Sequence, residues 1–71
     1  MIVVQFAEEL RKEFRSRMND VADALARGEA ASFEEYKYMT GEILGLASAE
    51  RMLLDAAERL EKGAEGHDRA H

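Results

Sequence analysis

The sequence predicts an all-α fold: an antiparallel two-helix hairpin, expected to assemble into a dimeric four-helix bundle or a higher oligomer. Three observations carry that prediction. Apolar residues recur at helical spacing in two long segments on either side of a short glycine-bearing connection. No proline interrupts either segment. The composition leans on Ala, Leu, Glu, Arg and Met, which lose little on entering a helix.

The first helix is predicted over about residues 2–27. Val3, Ala7, Leu10, Phe14, Met18, Val21 and Leu25 step by three and four, so they fall on one stripe. Glu8–Lys12, Glu13–Arg17 and Asp23–Arg27 are spaced i,i+4, where opposite charges support a helix by a few tenths of a kcal/mol. Gly28 follows Arg27, where a helix end favours a residue that can turn left-handed.

"GEAAS", residues 28–32, is the turn, and Ser32 restarts the helix. Ser32 with Glu35 three residues on matches a capping box, in which each side chain satisfies a backbone N–H; Ala31 and Tyr36 occupy the hydrophobic-staple positions. The second helix is predicted over about residues 33–62, supported by Asp55–Arg59 and Glu58–Lys62, with Gly63 as its stop. The hairpin domain thus spans 1–63, and "AEGHDRAH", residues 64–71, is expected to be a flexible polar tail.

A turn centred near Ala30 makes positions summing to about 60 face each other. Leu25 then meets Tyr36, Val21 meets Met39, Met18 lies near Ile43, and Phe14 meets Leu46. Ala7 meets Leu53 and Val3 meets Ala57, so apolar meets apolar along the seam. Met39, Ile43, Leu46, Leu53, Ala57 and Leu60 form the seam side of the second helix. Glu50 interrupts this stripe opposite Leu10, with Arg11 alongside; a Glu50–Arg11 pair that fixes register is expected, a ligand-facing carboxylate being the alternative.

The far side of the second helix is small or apolar too. Gly41, Gly45, Ser48, Ala49 and Met52 lie there with Tyr38 beside them, and a helix apolar over most of its circumference is usually buried on more than one side. Each interior glycine costs roughly 1 kcal/mol relative to alanine, a cost that close approach of a second helix would explain. These six residues are the predicted self-association face, with another copy of the chain as partner. The competing explanation is that the glycines merely admit a bulky neighbour such as Tyr38 or Phe14 within one hairpin.

Composition narrows the function. A chain of 71 residues makes one small domain, and chains of this size bury only about 60% of their unfolded surface, so many need a partner. The absence of cysteine removes disulfides and thiolate chemistry and fits a reducing compartment. A formal net charge of −5 argues against nucleic acid as a partner, and "RKEFRSR" interleaves its basic residues with acidic ones, as a solvated face does. No apolar run approaches the ~18 residues of a membrane span, and the opening "MIVVQFA" lacks a basic leader, so a cytoplasmic protein is expected. No catalytic constellation is visible and no cofactor or metal is expected. His67 and His71 sit in the predicted tail, and no serine or threonine has a histidine placed as its base. One cluster could hold a small molecule: Tyr36, Lys37, Tyr38, Thr40 and Glu42, whose aromatic faces and lysine suit a nucleotide's base and phosphate.

"ALARGEAASFEEYKYMTGEILGLASAERMLLDAAERLEKG" resembles a group of small helical-hairpin proteins of tailed bacteriophages. The shared pattern is a glycine after the first helix, Phe-x-x-Tyr, Gly-x-Ile-x-Gly-Leu, then an alanine-rich helix. Here these are Gly28, Phe33, Tyr36, Gly41, Ile43, Gly45 and Leu46. The resemblance covers all but the tail and implies a phage origin, hence a place in the infected bacterial cytoplasm or the virion. It implies no catalytic residue. The expected function is therefore non-enzymatic: a self-associating protein that acts by binding, as a minor virion or assembly component or a binder of a host protein. The alternative is an oligomeric sponge that sequesters a nucleotide immune signal as an anti-defence protein. A third reading is an acidic regulator that occupies a nucleic-acid-binding surface on a host protein.

Overall fold

The described residues form two helices: α1, Ile2–Ala26, and α2, Phe33–Gly66. They pack antiparallel as a hairpin. The structure, a computed structural model, describes the backbone of residues 2–66 and the side chains of residues 2–63.

The turn forms because local chemistry closes both helix ends. Gly28 adopts φ +74°, the left-handed region that costs a residue with a Cβ about 1–2 kcal/mol. Its N–H donates to the Leu25 carbonyl at 3.0 Å, and the Glu29 N–H donates to the Ala24 carbonyl at 3.0 Å. These two bonds are the Schellman pattern, which satisfies carbonyls that the end of α1 would otherwise leave open. At the start of α2 the Ser32 hydroxyl accepts from the Glu35 N–H at 3.0 Å. Glu35 reaches back one residue further than the simple capping box, accepting from the Ala31 N–H at 2.8 Å. The expected staple is replaced by an aromatic pair: Ala31 is exposed, and the Tyr36 ring stacks on Phe33 with centroids 6.3 Å apart.

The expected stop at Gly63 is absent, and α2 continues to Gly66. Among the described residues only Gly28 has positive φ, so Gly63 stays helical. A glycine weakens a helix by about 1 kcal/mol but ends it only where the chain turns left-handed. Residues 64–66 thus belong to α2, while the rest of the expected tail, with His67 and His71, lies outside the described residues.

The register along the seam is the one the sequence predicts. Arg11 reaches Glu50 and Arg17 reaches Glu42. Val21 and Met39 line one hollow, and Ala7, Leu53, Val3 and Ala57 line another. Leu60, expected in the seam, is exposed because its opposite number would precede the start of α1. Tyr36 is likewise half exposed, turned toward Phe33 rather than into the seam.

Of the i,i+4 pairs, Glu58–Lys62 forms, at 3.4 Å. Lys12 takes Glu9 instead of Glu8, Arg17 crosses to Glu42, and Arg27 takes Glu29. Asp55 and Arg59 make no ion pair among the described residues. Exposed pairs differ little in energy, so a long arginine goes to whichever carboxylate offers the better geometry.

The hairpin measures 52 × 22 × 10 Å and is one layer thick. Such a rod has a seam but no interior: among the described residues Ala7 and Val21 are the buried apolar ones, and no large side chain is fully buried. Its accessible surface is 5262 Å².

Candidate functional site

The far side of α2 is open. A Cβ built on Gly41 or Gly45 meets nothing within 4 Å, so neither glycine makes room for a neighbour within the hairpin. Ser48 is exposed beside them and Ala49 is partly covered. Around this small-residue strip stand large apolar side chains in solvent: Tyr38 is 72% exposed, Leu44 70% and Met52 68%. Fully burying a side chain of this size contributes roughly 1.5–3 kcal/mol, which the isolated hairpin leaves unrealised. Leu44 was not legible as part of this face from the seam pattern, although the 100° helical turn sets it beside Gly41 and Ser48. Phe6 is a second omission. It lies exposed on α1 and joins Ala56 and Leu60 at the edge of the seam hollow lined by Val3, Ala7, Leu53 and Ala57.

The cluster Tyr36, Lys37, Tyr38, Thr40 and Glu42 does not converge. Tyr36 stacks on Phe33, and the Lys37 ammonium lies 5.5 Å from the centroid of that same ring. The Thr40 hydroxyl donates to the Lys37 carbonyl at 3.0 Å, inside the helix's own backbone. Tyr38 and Glu42 border a different groove with Arg17, Val21 and Ala24, and Glu42 accepts from the Arg17 Nε at 2.7 Å. Residues 36 and 38 are about 200° apart around a helix, which is why neighbours in sequence part in space. Within one chain these groups form two unrelated surfaces.

Glu50 is the buried polar residue among those described, 8% exposed in the seam. The expected Arg11 partner is present at 3.1 Å, and Arg15, one turn further along α1, donates from Nε at 2.8 Å. The Arg15 hydrogen bond holds the Glu50 carboxyl below its usual range, with burial opposing and the positive charges of Arg15 and Arg11 assisting. The same bond raises Arg15. Both arginines keep their outer faces in water, so the cluster is a clamp between helices and not a sealed charge. Arg15 could have been anticipated, since it stands i,i+4 from Arg11 on the side facing Glu50.

Among the described residues no group of three His, Asp or Glu side chains is placed to hold a metal ion. Among the described residues no helix is long and apolar enough to cross a membrane. No protein family, curated protein or solved structure matches the chain.

Proposed function

We propose that this protein acts by binding and not by catalysis, as a helical hairpin that self-associates through the outward face of α2. Tyr38, Gly41, Gly45, Ser48, Ala49 and Met52 are the contact residues, joined by Leu44. One observation carries the reading: Tyr38, Leu44 and Met52 stand in solvent around two glycines with empty space above their backbone. Contiguous apolar surface of this kind marks an interaction site. The resemblance to phage hairpin proteins extends the proposal to a role as a virion or assembly component or as a binder of a host protein.

Sedimentation equilibrium from micromolar to millimolar concentration tests the central claim. A reversible dimer or larger species is expected. A fully folded monomer of 8.0 kDa across that range would overturn it.

A further inference from the structure

The outward face of α2 is complementary to itself in one orientation. Glu34 and Lys37 lie on it near the start of α2, and Asp55 and Arg59 lie on it about three and four turns beyond Gly45. Among the described residues none of these four makes an ion pair within the chain. Lys37 only overlies the Phe33 ring. Their order along the helix is negative, positive, negative, positive, with the open glycines and Met52 between the two pairs.

We propose that two copies of the chain pair through α2 in antiparallel orientation, about a two-fold axis passing between Gly45 and Ser48. This rests on the self-association reading and specifies its partner and register. The axis brings Glu34 opposite the partner's Arg59 and Lys37 within one residue of the position opposite the partner's Asp55. Met52 then lies over the partner's Gly41, where there is empty space for a side chain, and Gly45 meets the partner's Ser48. Every such contact occurs twice, as an isologous interface requires.

Charge selects this register over its neighbours. A slip of one turn in one direction sets Glu34 against the partner's Asp55, and in the other it sets Lys37 against the partner's Arg59. A parallel pairing sets each of the four charges against its own copy. Only the antiparallel register centred between Gly45 and Ser48 matches opposite charges at both ends while seating Met52 on a glycine.

Charge reversal tests it: Glu34→Arg and Arg59→Glu, singly and together. Each single change turns two attractive contacts into repulsive ones and is expected to weaken the dimer about tenfold. The double variant restores opposite charges and should return to within about twofold of the parent, since such couplings are recovered in a double-mutant cycle. A spin label at Glu58→Cys, in a chain that otherwise has no cysteine, gives a second measure. At 1.5 Å per residue the antiparallel register separates the two labels by about 35 Å along the axis, whereas a parallel pair holds them within about 15 Å. Singles without effect, a double no better than its singles, or the short distance would each overturn this register while leaving self-association in place. A parent chain that sediments as a monomer overturns both.

Discussion

Gly45→Leu separates the two explanations of the glycines because they predict opposite signs. In the isolated hairpin the substitution is free of clashes, since a Cβ at Gly45 meets nothing within 4 Å. Leucine also favours a helix over glycine by about 0.8 kcal/mol, so the hairpin itself should gain stability of that order. At a close helix–helix contact the same side chain has no room. Overpacking costs roughly 1–3 kcal/mol per site, and a two-fold interface meets the new side chain twice. The dimer should therefore weaken by at least ~2 kcal/mol, or roughly 30-fold in dissociation constant. Sedimentation equilibrium reads the association, and helical circular dichroism through a thermal melt, taken at concentrations where the protein is monomeric, reads the hairpin. Weaker association together with an unchanged or higher monomer melting temperature is expected. Association as tight as the parent's would refute the contact line, and a destabilised monomer would show that Gly45 is needed within the chain.

Glu50→Gln removes the charge that Arg11 and Arg15 clamp, and the melting temperature at neutral pH should fall. Because the folded-state pKa of Glu50 lies below its ordinary 4.5, its stabilisation is fully present above that value and is lost as pH falls through the lowered one. The parent should lose more stability than Glu50→Gln over the acid range, and parallel melting profiles would contradict the clamp. Gly28→Ala forces a Cβ into a backbone with φ +74° and should cost about 1–2 kcal/mol, read by urea unfolding; no loss would mean the turn does not need the left-handed residue. Cyclic dinucleotides and ADP-ribose derivatives are expected to leave the melting temperature unchanged, because Tyr36 and Tyr38 border different surfaces. A saturable rise with any of them would restore the nucleotide-sponge reading.

What a sequence can determine by itself is what depends on near neighbours along the chain. The stripe from Val3 to Leu25, the glycine that ends α1 and the serine that starts α2 are all i to i+4 relations, so they were legible without the fold. The hairpin register followed, because a short turn leaves two antiparallel helices little freedom to slide. The tertiary structure decided what depends on reach and direction in space. It sent Arg17 across to Glu42, added Arg15 to Glu50, and divided Tyr36 and Lys37 from Tyr38 and Glu42. It carried α2 through Gly63, since nothing at that glycine turns the backbone left-handed. It also showed that Gly41 and Gly45 make no room for a neighbour within a single chain. Periodicity shows that a face is small and apolar; only coordinates show that the space above it is empty. The physical reason is that helix pattern is a one-dimensional property, whereas burial is a property of everything nearby, and a rod one layer thick has no third layer to bury its second face.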